Sequence, residues 1–220
     1  MADQPGGRRL TRATLTEQVQ DALRLDILEG VFAPGQRLRP VELSARYKVS
    51  ATPLREALQR LAAQSLVEID PRMGVSVARI SQGDLHDIHW LRGVLESMAL
   101  ERAIERGEEA WEAELRAAHA TLKGQTEDDP IAWSAAHRRF HEALFASCGS
   151  PWLLRVLDTL YDHSERYRMV SVQKGIEDAL WEHEDVYSAT VDRDKSRAVG
   201  ALRRHIEGTV QLVEPRATAP

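Results

Sequence analysis

Along the first eighty residues the apolar positions fall into three helical stripes followed by one alternating run. Val19, Leu23, Ile27 and Leu28 share one face of a helix over Leu15–Gly30, with Thr14 or Thr16 able to cap it and Gly30 to stop it. Pro34-Gly35 marks a turn within Phe32–Leu38. A short second helix over Pro40–Lys48 turns Leu43 and Tyr47 inward. Val49–Gln64 predicts a third: Ser50 and Thr52 can cap it, Pro53 suits a first turn, and Leu54, Leu58 and Leu61 form its apolar stripe. Glu56 lies early enough to favour the positive end of the helix dipole. Leu66–Asp70 and Val75–Arg79 read as two strands around the turn Pro71–Gly74. Helix, helix, turn, helix and a two-stranded wing is the order of a winged helix-turn-helix.

After a linker over Ile80–Asp84, capped by Ser81 or Asp84, the period is helical throughout. His86–Arg106 carries Ile88, Leu91, Leu95, Met98 and Ala99 at helical intervals, and Gly107 ends it. Further helices are expected over Glu108–Gln125, Asp129–Cys148 (capped by Asp128 or Asp129), Ser150–Met169 and Ile176–Thr190, the last two separated by Gly175. A final one, capped by Asp192 or Asp194, runs to Val213. The fold class is therefore mainly α: a winged helix-turn-helix over 15–79, then an all-α body of six or seven helices over 85–213. Residues 1–14 read as a loose arm and 214–220 as a fraying tail.

Charge sharpens this division. The net charge is −5, yet residues 1–80 hold 12 Lys/Arg against 9 Asp/Glu and the remainder 17 against 25. A weakly basic front and an acidic back fit a small nucleic-acid-binding module carried by a larger body. The lone Cys148 allows no intramolecular disulfide, which is simplest in a reducing cytoplasm. No stretch approaches a membrane span, and the first residues lack the apolar core of a signal peptide.

Two sets of residues carry candidate chemistry. The third helix buries one side and offers Ser50, Thr52 and Arg55 at its N-terminal end, which suits a major groove; the alternative is a solvated amphipathic helix. In HRRFHEALF, His137 and His141 stand one above the other on a helix face, while His183 and His205 come from two later helices. A paired motif plus single ligands from neighbours is what a metal site inside a bundle requires, although packing alone could also account for the pair. Trp111, Trp133, Trp152 and Trp181 read as core or interface anchors, and Cys148 as a small buried residue.

The strings PGQRL, LSARYKVS, TPLREALQRLAAQSLVEI and RMGVSVARIS make residues 15–79 resemble the DNA-binding domain of the GntR family of bacterial transcription regulators. The resemblance implies that Arg55 reads a guanine, that Ser50 and Thr52 hold phosphates, and that Arg72 in the wing makes a minor-groove or phosphate contact. Many relatives carry arginine where this chain has Ala51, and some where it has Val41, so the operator preference is expected to differ. LRGVLESMAL, FHEALFASCGS, EHEDVYSATVDRD and RRHI make residues 85–210 resemble the FCD effector-binding domain of the FadR branch. Many such domains hold a divalent metal with one carboxylate and three histidines. The histidine positions map onto His141, His183 and His205, and the carboxylate position onto His137, a departure that leaves His137 either a fourth metal ligand or a hydrogen-bonding partner of the effector. Four imidazoles favour zinc, or nickel, over magnesium or calcium. CGSPWLLRVLDTLYDHSERYR is also similar to the carbon-starvation regulator (CsiR-like) subgroup, whose effectors are small carboxylates. Arg92 then becomes a candidate anchor for an effector carboxylate, against the plainer reading of a surface ion pair with Glu96.

These readings imply no enzyme. They imply a cytoplasmic, homodimeric regulator, a repressor by expectation, that sits on the nucleoid when bound to a palindromic double-stranded operator and answers to a small organic acid. The alternatives are a metal-dependent hydrolase-like enzyme and an architectural DNA-binding protein with a purely structural metal.

Overall fold

The computed structural model describes residues 14–126, 129–171 and 176–213. The expected tail, the arm short of Thr14, the break at Gly175 and the alternative cap Asp128 lie outside them. The chain divides into two compact units, Met1–Ile27 with Val31–Arg79, and Ile80–Pro220 with Leu28–Gly30.

In the first unit, α1 spans Leu15–Leu28, α2 Pro40–Tyr47 and α3 Ala51–Ala63. A reciprocal box starts α1: the Thr14 hydroxyl accepts from the Glu17 amide, and the Thr14 amide donates to Glu17. Val19, Leu23, Ile27, Leu43, Leu54, Leu58 and Leu61 are buried, as their helical spacing requires. Lys48, in the left-handed region at φ 55°, closes α2 and turns the chain into α3. Glu56 accepts a hydrogen bond from the Thr16 hydroxyl at 3.0 Å, so it joins α3 to α1 as well as lying near a helix end.

The wing differs from expectation by one strand. β2 (Val67–Asp70) and β3 (Gly74–Val77) form the expected hairpin, with Val67 opposite Val77. β1, only Arg37–Leu38, pairs antiparallel with the other edge of β3, giving the order β1-β3-β2. A two-residue strand after Pro-Gly leaves no alternation to detect, because its pairing is fixed by tertiary contact. At the hairpin tip the Asp70 carboxylate accepts from the amides of Arg72 and Met73, and Gly74 takes φ +86°, so the turn holds itself.

The second unit contains six α-helices among the described residues: α4 (Gln82–Arg106), α5 (Glu109–Lys123), α6 (Pro130–Phe145), α7 (Pro151–Ser171), α8 (Ile176–Val191) and α9 (Lys195–Val213). Side-chain caps start four of them, Ser81 on α4, Asp129 on α6, Ser150 on α7 and Asp194 on α9. A 3-10 turn over Ala146–Cys148 follows α6, and Gly149 at φ +68° ends it. Leu100, Leu115, Leu122, Phe140, Leu144 and Leu202 are among the core side chains.

Between Trp90 and Met98, α4 departs from the expected polarity, while Ala99, Leu100, Ala103 and Ile104 are buried. Leu91 and Met98, read as inward, are exposed together with Trp90 and Val94, whereas His89, Arg92 and Glu96 are buried. Period alone gives the two faces of a helix, and identity assigns the apolar one inward. Here that assignment fails because the buried polar groups find partners inside. Trp111 and Trp133 are buried as expected of anchors, but Trp152 and Trp181 are about three-quarters exposed and belong to no core (75% and 77%).

Gly107 is where helix α4 gives way to α5, and the Trp111 ring lies against its backbone. A Cβ there would sit 1.9 Å from the ring, whose indole N–H is held by the Ala143 carbonyl at 2.8 Å. Gly107→Ala is therefore expected to destabilise the chain by about 1–3 kcal/mol through overpacking. Denaturant unfolding checks this, and an unchanged midpoint would contradict the close approach.

Candidate functional site

α6, α8 and α9 each turn a buried imidazole edge toward one point. His137 and His141 come from α6, His183 from α8 and His205 from α9. One ring nitrogen from each lies within 4.8 Å of those of the other three, and all four residues are buried. Bonds of about 2.0–2.1 Å to a tetrahedral zinc would set such nitrogens roughly 3.4 Å apart, so a modest inward movement suffices. Both ring nitrogens of His141 are buried without a hydrogen-bond partner. Donor atoms left in that state favour a missing ligand as explanation, since a hydrogen-bonding side chain so buried is otherwise satisfied. Burial, followed by the neighbouring imidazoles, pushes His137 and His205 well below the usual histidine range. Burial also lowers His141, against the Glu96 carboxylate, which raises it. Neutral imidazoles with available lone pairs are the form a metal ion needs.

Outer contacts orient the rings. His205 Nδ1 lies 2.8 Å from Glu182 Oε2, leaving Nε2 for the cluster. His137 Nδ1 lies 3.2 Å from the Tyr161 hydroxyl, and the Trp133 ring stacks on its face at 4.7 Å. From α4, Arg92 Nε donates to Glu96 Oε1 at 2.6 Å and Nη1 donates to the Ser164 hydroxyl at 2.7 Å. Ser164 in turn meets His89 Nε2 at 3.2 Å, and His89 Nδ1 donates to the Leu85 carbonyl. Burial pushes the Glu96 carboxyl up, but the Arg92 guanidinium and His141 bring it down to about 2. The Arg92–Glu96 pair is thus no surface feature: its side chains are 4% and 1% exposed.

The first unit presents the other candidates on its surface. Ser50 has the backbone of an N-cap but makes no capping bond, so its hydroxyl is available to another acceptor or donor. Thr52 and Arg55 are exposed in the first turns of α3, and Arg72 is exposed at the wing tip. The departures Ala51 and Val41 are exposed too, Val41 at 82%.

Sequence reasoning gave metal or effector roles to the four histidines and Arg92, but none to Glu182, Tyr161, Ser164 or His89. Glu182 adjoins His183, a weak signal for the partner of a histidine 23 residues on. Nothing local marks Tyr161, Ser164 or His89, which matter only through packing of α7 and α4 against the cluster.

A winged helix-turn-helix followed by a helical body with an internal cluster of buried histidines points to a class of transcription regulator. The bacterial regulatory protein, gntR family, matches residues 15–77, and the FCD domain matches residues 87–208. The chain belongs to the GntR family, in the group that carries an FCD domain. It is 35% identical to the HTH-type transcriptional regulator BphR of Paraburkholderia xenovorans, over 91% of this chain and 85% of that one. It is 34% identical to the HTH-type transcriptional repressor GlaR of Escherichia coli, over 87% and 92%. McbR/YncC of E. coli shares the fold, with a TM-score of 0.80 at 23% identity over 93% of this chain and 99% of that one. BphR and GlaR are transcription regulators, as is the GntR family, which removes the hydrolase-like alternative.

The histidine burial has a pH signature. Burial, reinforced by the Arg92 charge, lowers His89 to about 4, whereas in the unfolded chain a histidine titrates near 6.5. Below that pH the unfolded state takes up a proton that the folded state refuses, so stability is lost as pH falls from about 6.5 to about 4. The contribution of His89 is on the order of 3 kcal/mol. Melting temperature followed against pH is expected to fall less steeply for His89→Gln than for the wild type. Parallel curves would contradict a neutral, buried His89.

Proposed function

We propose that the chain is a ligand-responsive repressor that binds a palindromic operator as a homodimer. Its DNA affinity is set by a small organic acid at a divalent ion held by His137, His141, His183 and His205. The observation that carries this reading is the convergence of four buried imidazoles in a regulator whose DNA-binding unit is of the GntR type. Four nitrogen donors suit zinc, with nickel the alternative. The ion supplies a positive centre for a carboxylate. His137 stands in for a carboxylate, so the four direct ligands carry no charge, and an anionic effector balances the ion. Arg92, the buried cation one contact beyond His141, is the second anchor for that effector.

On the DNA side, Arg55 reads a base edge, Ser50 and Thr52 hold phosphates, and Arg72 contacts DNA from the wing. One recognition helix spans too few base pairs for useful specificity, and a two-fold pair doubles the contacts. The exposed apolar stripe of Trp90, Leu91, Val94 and Met98 on α4, with Trp152 and Val156 on α7, supports a second copy of the chain as the covering partner. Such a regulator works in the cytoplasm, at the nucleoid when bound. An effector changes operator affinity only by binding one domain arrangement better than the other, and a tenfold change needs about 1.4 kcal/mol of difference.

Operator titration at fixed salt tests both halves. Arg55→Ala is expected to cost roughly 1–3 kcal/mol per half-site and to relax discrimination at one position. In the same assay, the response to small organic acids is expected to vanish after chelation and return with zinc. Unchanged discrimination by Arg55→Ala removes it from base reading. A response that survives full chelation overturns the metal-based mechanism, and no response to any organic acid favours an architectural protein with a structural metal.

A further inference from the structure

Glu96 and His141 face each other through buried atoms that make no hydrogen bond, Glu96 Oε2 and the two His141 ring nitrogens. Oε2 and Nδ1 stand 3.7 Å apart, and both side chains are 1% exposed. The other carboxylate oxygen, Oε1, already accepts from Arg92 Nε at 2.6 Å. A small ring rotation would close the 3.7 Å gap to a hydrogen bond, provided that Nδ1 carries the imidazole proton. In that tautomer Nε2 presents its lone pair. With the opposite tautomer, Nε2–H would be a buried donor among three other imidazoles, and Oε2 would face a second acceptor.

We propose that Glu96 is a positioning residue of the metal centre: it accepts the Nδ1 proton of His141 through Oε2, so that His141 meets the ion through Nε2. This inference rests on the metal reading above and adds a residue to it. His205 has the same arrangement, its Nδ1 2.8 Å from Glu182. Two of the four imidazoles are therefore backed by carboxylates, which orient the rings and strengthen them as ligands. Only a carboxylate fits position 96, because it stands between two donors, Arg92 Nε and His141 Nδ1. An amide offers one acceptor and one donor, and in either orientation it sets a donor against a donor or forces His141 into the wrong tautomer. The charges follow from this arrangement. Glu96 is offset by Arg92, and Glu182 offsets half of a divalent ion, leaving one positive charge for one effector carboxylate.

Competition for zinc between the full-length, metal-stripped protein and a chromophoric chelator tests the assignment, with thermal melting to establish that each variant is folded. Glu96→Gln is expected to bind zinc about 10–100-fold more weakly than the wild type. Glu142→Gln, which alters an exposed carboxylate on α6 bonded to Arg138, is expected to leave zinc affinity unchanged. A folded Glu96→Gln with wild-type zinc affinity would overturn the inference while leaving the metal reading intact. Wild-type protein that takes up no zinc would overturn that reading and this inference with it. If Glu96→Gln does not fold, the tautomer decides: in zinc-loaded wild-type protein with 15N-labelled histidine, His141 is expected to carry its proton on Nδ1. A proton on Nε2 would overturn the assignment.

Discussion

The second unit is organised by the need to keep polar groups satisfied where a helical bundle ordinarily places Leu and Ile. Four imidazoles, an arginine and a glutamate are removed from water around one point, and each must find a partner from another helix. A buried ion pair such as Arg92–Glu96 seldom adds net stability, since desolvation offsets its attraction, but removing one member leaves an uncompensated charge. The arrangement therefore constrains which helices lie side by side more than it stabilises the fold. α6 must bring two turns of one face to the cluster, α8 and α9 one residue each, α4 the Arg–Glu pair, and α7 Tyr161 and Ser164. Hydrophobic burial around Phe140, Leu144 and Leu202 supplies the stabilisation that tolerates this polar interior.

One consequence is a local reversal of polarity in α4. With His89, Arg92 and Glu96 turned inward, the helix leaves Trp90, Leu91, Val94 and Met98 on the outside, where they meet solvent in a single chain, although Leu85, Leu100 and Ile104 remain in its buried face. The proposed ligand site and the external apolar stripe are thus two faces of the same helix. That links the chemistry of the site to the surface proposed for assembly. Any ligand that alters the Arg92–Glu96 pair acts on the element carrying this stripe.

How much of this was legible in the sequence depended on whether a feature was local. The helices of the first unit were readable because Val19, Leu23, Ile27, Leu54, Leu58 and Leu61 repeat at the helical period and are buried accordingly. The wing hairpin was readable from its turn, whereas Arg37–Leu38 became a strand only by pairing with β3. The histidine pair of α6 was visible as an i, i+4 spacing, and His183 and His205 as single candidates on later helices that family resemblance supported. Their convergence is a tertiary fact. Arg92–Glu96 had the spacing of a surface pair, and only burial distinguishes it from one. Glu182, Tyr161 and Ser164 carry no pattern of their own, because their significance lies in the partner each meets across the bundle.

The central claim is that the four buried imidazoles form one metal centre. Metal content per chain, measured on the full-length protein after zinc loading and desalting, tests it most directly when the wild type is set beside His141→Ala and His183→Ala. The account predicts one zinc per wild-type chain and a sharp loss in both variants, with the DNA-binding unit still folded. One zinc per chain in all three proteins would contradict it.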